Sequence, residues 1–222
     1  MLTKIKKVFK KTVDKFLYEG PRRNEIDRLP DVVLREDHFK GCELLADRET
    51  LLQRVGSIGC AAELGVNRGE FSELIMRHCT PNVLHLVDIW NTERYHDGLF
   101  GEVSEKFGED ISNGDVVIHR KLSTEAASDF DPASIDFLYI DTDHSYATTR
   151  DELLSYEDKM KPSGIIAGHD FSVGNWITGF KYGVIEAVYE FCSNRNWRFE
   201  YITMNRSEGV SFALRKIENL EG

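Results

Sequence analysis

Short apolar runs that alternate with segments of helical spacing constrain this chain more than any single motif does. The runs occupy residues 58–64, 82–88, 115–119, 135–140 and 165–170, and each leads into a stretch with apolar residues three and four apart. Five such units bury strands on both sides, which implies an α/β fold with a mostly parallel sheet between helices. Two last runs, 197–203 and 210–214, are separated by a short polar turn at 205–209. They read as antiparallel neighbours, so the sheet should contain one reversed strand.

A length of 222 residues fits one domain with short attachments. The chain is 30% charged and 41% hydrophobic, and no apolar run approaches the roughly 20 residues needed to span a bilayer. The start, MLTKIKKVFKK, has no continuous apolar core and no small-residue cleavage site, so it does not read as a secretory signal. Cys42, Cys60, Cys79 and Cys192 lie far apart without a C-x-x-C pair, which argues against zinc and fits a reducing, cytoplasmic setting.

The net charge of −10 conceals an asymmetry. Residues 1–17 hold six lysines and one acid, so the basic start is followed by a strongly acidic body. Phosphate attraction dominates non-specific nucleic-acid affinity, so no nucleic-acid partner is expected for that body. Within the start, Ile5, Val8, Phe9, Val13 and Phe16 share a helical face opposite the lysines. This basic amphipathic helix suits packing on the body, pairing with a second copy in a homo-oligomer, or weak contact with an anionic membrane surface. Residues 1–40, this helix and a connecting segment with Pro21 and Pro30, are set apart from a main domain at 41–222. In that domain Asp47 is expected to cap a helix that ends near Gly56, with Leu51, Leu52 and Val55 inward.

The first strand of the alternating part runs into E-L-G-V-N-R-G, with Glu63, Gly65, Asn67 and Gly69. Glycines there permit a sharp turn and a close ligand approach, and the following helix presents free N–H groups. No glycine stands two before Gly65, so the spacing is not that of dinucleotide enzymes. Nineteen residues beyond Gly69 the next strand ends in Asp88, an acid at the usual distance for holding ribose hydroxyls. Trp90 could stack on an adenine or close the core. The third strand is followed by K-L-S-T-E, where Ser123 or Thr124 is expected to cap a short helix facing a bound base.

The stretch IDFLYIDTDHSY, residues 135–146, carries an apolar strand straight into Asp141, Asp143 and His144. Ligands of open α/β sheets bind beyond the carboxyl ends of the strands, so acids in that position suit chemistry. Three readings compete: a metal-dependent group transfer, a D-x-D phosphatase or glycosyltransferase, and a strand end with solvated acids. A phosphatase of the haloacid-dehalogenase kind would have its acid at the start of the domain, and a glycosyltransferase leaves the 63–69 turn without a role. A second strand, IIAGHD, delivers His169 and Asp170 to the same edge. Two carboxylates from separate strands form a hard-oxygen site suited to Mg²⁺.

Together these residues resemble the class I S-adenosylmethionine-dependent methyltransferases over residues 45–215. E-L-G-V-N-R-G is similar to that family's first motif, Asp88 to its ribose-binding acid, and K-P-S-G at 161–164 to the turn before its fifth strand, with Ser163 where glycine is usual. The resemblance implies a Rossmann-like fold: a mostly parallel seven-stranded sheet with an antiparallel C-terminal hairpin and helices on both faces. It implies S-adenosylmethionine held by Glu63, Gly65, Asn67, Gly69, Asp88, Trp90, Ser123 and Asp141. IDFLYIDTDHSY with GHDF is similar to the metal-dependent O-methyltransferase branch that includes the macrocin and mycinamicin sugar O-methyltransferases. By that likeness Asp141 and Asp170 bind Mg²⁺ and His144 is the general base. Asp143 and His169 read as further metal ligands or as partners that support the ligands. The implied acceptor is a small molecule bearing a hydroxyl, a sugar or a catechol. A cofactor-binding protein without turnover is the non-catalytic alternative.

Overall fold

The computed structural model describes residues 26, 28–93, 95–175, 177–205 and 207–217. The N-terminal segment 1–17 and Trp176 lie outside the described residues. In chain order the elements are β1 Glu43–Leu45, α1 Arg48–Val55, β2 Cys60–Leu64, α2 Glu70–Cys79, β3 Val83–Val87, α3 Asp97–Lys106, α4 Gly108–Asn113 and β4 Val116–His119. There follow α5 Ser123–Ala126, β5 Ile135–Ile140, α6 Tyr146–Tyr156, β6 Met160–Gly168, β7 Gly174–Asn175, β8 Phe180–Lys181, α7 Val184–Arg195, β9 Trp197–Thr203 and β10 Phe212–Lys216.

One sheet runs β1-β9-β10-β6-β5-β2-β3-β4, and β7 and β8 form a separate two-stranded ribbon. Within the large sheet only β10 is reversed, antiparallel to both β6 and β9. All seven expected strands are present, and β1 adds an eighth at the edge, parallel to β9. Three residues are too few to show a period, which is why β1 left no trace in the sequence pattern. From β2 the chain steps outward to β3 and β4, then returns to place β5 on the other side of β2. That reversal opens a crevice beyond the carboxyl ends of β2 and β5, between residues 65–69 and 141–145.

Each face of the sheet has its own core. On one, Leu51 and Leu52 of α1 and Phe71 and Ile75 of α2 pack on Phe137 and Tyr139 of β5. On the other, Leu153 and Tyr156 of α6 and Val184, Val188 and Phe191 of α7 cover Leu138 and Ile140. Five of the six residues of β5 are buried, as a central strand in a two-faced sheet requires. Asp47 caps α1 by accepting the Thr50 N–H at 2.7 Å, and Gly56 ends it with φ 67°, both as expected. Residues ahead of the main domain also pack on it: Phe39 stacks on Phe199 with ring centroids 5.2 Å apart.

Several boundaries differ from the sequence reading. K-P-S-G at 161–164 lies inside β6, which starts at Met160, rather than in a turn. Phe180 belongs to β8, because α7 begins only after Gly183, where a Cβ would lie 2.3 Å from the Tyr146 nitrogen. The cap of α5 is Leu122, and Ser123 is already helical. No helix among the described residues is long and apolar enough to cross a membrane.

Candidate active site

The turn after β2 is built on close backbone approach. Gly65 has φ 87°, and a Cβ there would stand 2.0 Å from the Asp141 carbonyl oxygen, so only glycine lets the exits of β2 and β5 touch. Gly69, with φ 72°, forms the left-handed entry to α2 against the Phe107 ring. Asn67 is also left-handed, φ 54°, and donates its N–H to Asp88 Oδ2 at 3.0 Å. Trp90 donates its backbone N–H to Asp88 Oδ1 at 3.0 Å and its indole N–H to the Asn67 carbonyl at 2.9 Å. Asp88 thus joins two loops, while its carboxylate keeps acceptor capacity for hydroxyls.

The Trp90 ring itself is 0% exposed and packs against Phe100. Of the two roles open to it, the structure selects core closure, and adenine stacking on this ring is corrected accordingly. Glu63 is 2% exposed and accepts the Ser72 hydroxyl, and burial pushes its carboxyl up to about 8. Ser123 does not present a free hydroxyl: its Oγ donates to Glu152 Oε1 at 2.5 Å, while Thr142 Oγ1 donates to Oε2 at 3.0 Å. Glu152, absent from the sequence reading, is fully buried, and burial pushes it up to about 7. A mid-helix glutamate carries no sequence signal that separates such a clasp from an ordinary solvated position.

Across the crevice, Asp141, His144 and Asp170 each bring one ligand atom within 4.8 Å of the others. His144 Nε2 lies 3.2 Å from Asp170 Oδ2, and the imidazole packs on Tyr182 at 4.9 Å between ring centroids. Both His144 (φ 61°) and Asp170 (φ 51°) are left-handed non-glycine residues, a conformation worth about 1–3 kcal/mol of strain each. Neighbouring amides hold them there: Gly183 donates to the His144 carbonyl and Phe171 to the Val210 carbonyl, both at 2.9 Å. Burial raises the Asp141 carboxyl above its usual range. Burial also pushes Asp170 up, but the His169 hydrogen bond and the charges of His169 and His144 outweigh it and hold Asp170 low.

His169 is not part of that triad. Its Nδ1 lies 3.4 Å from Asp170 Oδ1 and 3.8 Å from Asp141 Oδ2, while Nε2 meets the Glu208 carbonyl. With acceptors at both nitrogens the ring is placed as a donor, which suits the second of its two readings, support of the two acids. Asp143 accepts the Ser145 N–H at 2.9 Å and the Thr148 hydroxyl at 2.8 Å, so it braces the entry to α6, whose N-cap is Ser145. The D-x-D pair therefore does not converge on one ligand.

Two further residues close the edge. Arg48, at the start of α1, places its guanidinium 5.0 Å from the Phe71 ring centroid, and Glu208, in the turn between β9 and β10, lies 3.6 Å from Arg48 Nε. A cation in the first turn of a helix opposes the macrodipole, and that local exception was the available sequence signal. At the opposite edge of the sheet a cavity of about 460 Å³ includes Asp136 and Arg215 in its lining. Those groups are committed elsewhere, Asp136 to Gly59, Cys60 and Lys161 and Arg215 to the Ser163 carbonyl and Glu200.

Residues 62–171, just under half of the chain, match the model of a family described as a methyltransferase domain. No curated protein matches the chain. Among solved structures it is similar to a Corynebacterium glutamicum protein, with 12% identity over 97% of this chain and 99% of that one and a TM-score of 0.59. It is also similar to the geranyl diphosphate C-methyltransferase of Streptomyces coelicolor A3(2), solved with Mg²⁺, geranyl diphosphate and S-adenosyl-L-homocysteine, at 11% identity over 77% and 80% of the chains and a TM-score of 0.57. An rRNA methylase from Streptococcus thermophilus gives 12% identity, 77% and 95% coverage and a TM-score of 0.55. The fold is the Rossmann-like class I methyltransferase fold, with its mostly parallel sheet and one reversed strand. The matched residues 62–171 contain the Gly-rich turn, Asp88, Asp141, His144 and Asp170.

Proposed function

We propose that the protein is an S-adenosylmethionine-dependent methyltransferase that methylates a hydroxyl of a small polar acceptor such as a sugar, with Mg²⁺ at Asp141 and Asp170 and His144 as general base. The observation that carries this reading is the meeting of Asp141, His144 and Asp170 within 4.8 Å, beside the Gly65–Asp141 contact at the switch point of the sheet. The donor chemistry fits both groups. Asp141, against the Gly65 turn, is an acid suited to a cationic methionine tail, and Asp88 has spare acceptor sites for a ribose. Two carboxylates and an imidazole suit a hard divalent ion with open positions.

When bound, S-adenosylmethionine supplies an electrophilic methyl group on a sulfonium, and Mg²⁺ supplies a Lewis acid that acidifies and orients a hydroxyl. The chain's own residues do the rest. Asp170, held low by His169, stays anionic and keeps His144 oriented through Nε2. His144 takes the hydroxyl proton at the moment the oxygen becomes a nucleophile, a contribution of roughly 10²- to 10⁴-fold. The ring packing of Tyr182 and the Gly183 amide fix the imidazole, so little orientational freedom is lost in the reaction.

The same 4.8 Å grouping favours a second reading, in which His144 is the third metal ligand. Calorimetric Mg²⁺ titration separates them: unchanged affinity in His144→Ala supports the base, and lost affinity supports the ligand. The central claim is tested by titrating cofactors. S-adenosylmethionine and its demethylated product are expected to bind, and UDP-sugars and NAD are not. A chain that binds neither adenosyl compound is no methyltransferase. Binding without turnover on any hydroxyl acceptor would instead identify a cofactor-binding protein, and full turnover in EDTA would remove the metal from the scheme.

A further inference from the structure

Arg48 belongs to α1, upstream of the matched segment, yet its guanidinium lies among groups of the candidate site. It sits over the Phe71 ring and 3.6 Å from Glu208, where Tyr139, Asp141 and Glu208 favour its charged form against burial, and Arg48 in turn favours the charged form of Glu63. Phe71, over whose ring it sits, is in the first turn of α2, directly after the Gly-rich turn. Its Nε is buried without a hydrogen-bond partner, and so is Glu208 Oε2, because the 3.6 Å between them is too long for a hydrogen bond. A buried guanidinium donor left unsatisfied is costly, and its place at the N-terminal end of α1 adds a repulsive dipole. Packing alone would be served better by a neutral side chain.

What such a cation can do follows from the charge around it. The edge carries Asp88, Asp141 and Asp170, while His169 has acceptors at both nitrogens and His144 faces Asp170. The methionine tail of S-adenosylmethionine ends in an ammonium and a carboxylate. The acids suit the ammonium and repel the carboxylate, so that tail can lie here only where a cation meets its anionic end. Arginine offers a planar fork that matches a carboxylate in two hydrogen bonds, and the Phe71 ring holds that plane in place.

We propose that Arg48 is the residue that binds the α-carboxylate of the cofactor's methionine tail, with Glu208 retaining the guanidinium when the tail is absent; this rests on the methyltransferase reading. It makes Arg48 a specificity element for the intact amino-acid tail, contributed from outside the matched segment.

The test compares S-adenosylmethionine with decarboxylated S-adenosylmethionine, which lacks only the carboxylate, by calorimetry on the full chain. A charge-assisted pair of this kind is expected to favour the intact cofactor at least about tenfold in the unsubstituted protein. In Arg48→Gln the preference should fall to within about twofold, with affinity for the decarboxylated compound nearly retained. Arg48→Lys, which keeps the charge and loses the fork, should keep part of the preference. An equal preference in the unsubstituted protein and Arg48→Gln overturns the assignment. Should Arg48→Gln fail to fold, a preference near one in the unsubstituted protein, or an undiminished preference in Arg48→Lys, does the same. Binding of neither compound would sink the methyltransferase reading itself, which distinguishes the two failures.

Discussion

Replacing Glu152 by glutamine should remove a pH dependence of stability that the buried carboxylate imposes. Glu152 is 0% exposed, and its only hydrogen-bond donors are the hydroxyls of Ser123 and Thr142. Burial raises its pKa from 4.5 to about 7, so the folded protein holds a proton that the unfolded chain has released. The stabilisation is complete below pH 4.5 and is lost as pH climbs towards 7, because in that window the native state binds more protons than the unfolded state. A tenfold difference in proton affinity between the two states is worth about 1.4 kcal/mol, so the loss across the window amounts to about 3 kcal/mol. Glutamine has the same shape, keeps one donor and one acceptor for the two hydroxyls, and never ionises. Urea unfolding of both proteins at pH 5 and pH 8 isolates the effect, since every other group titrates equally in each. The unsubstituted chain should lose about 2.5 kcal/mol more than Glu152→Gln between pH 5 and pH 8, since part of the loss already lies below pH 5. Parallel pH curves, within about 1 kcal/mol, would show that Glu152 is solvated or paired with a cation in solution and would refute the reasoning.

Other consequences follow from the same geometry. His144→Ala should slow methyl transfer by more than about tenfold while leaving S-adenosylmethionine affinity unchanged, as read by single-turnover rates beside calorimetry. Gly65→Ala should cost at least about 1–2 kcal/mol from the left-handed backbone alone, and more from the contact with the Asp141 carbonyl, seen as a lowered unfolding midpoint and weakened cofactor binding. Asp143→Ala should lower stability by about 1 kcal/mol through loss of the hydrogen bonds it accepts from the Ser145 N–H and the Thr148 hydroxyl, and leave Mg²⁺ affinity intact, in contrast to Asp170→Ala, which should weaken it at least tenfold.

Where local rules act, the sequence alone determined the outcome. The apolar runs and helical spacings led to all seven main strands and the single reversed one, since strand and helix periods are properties of neighbouring residues. Asp47 and Gly56 bracket α1 as cap chemistry dictates, and the acids at 141 and 170 sit at strand ends because apolar runs stop there. Tertiary packing decided the rest. Trp90 is core because Phe100 arrives from α3, and His169 is held by the Glu208 carbonyl that the β9–β10 turn offers it. K-P-S-G bulges within β6, because Met160 pairs with Ile135 and Ile165 with Phe137, which leaves 161–164 between two registers. Glu152 clasps two loops and Arg48 of α1 meets Phe71 and Glu208; such contacts join residues far apart in the chain, and no local period encodes them.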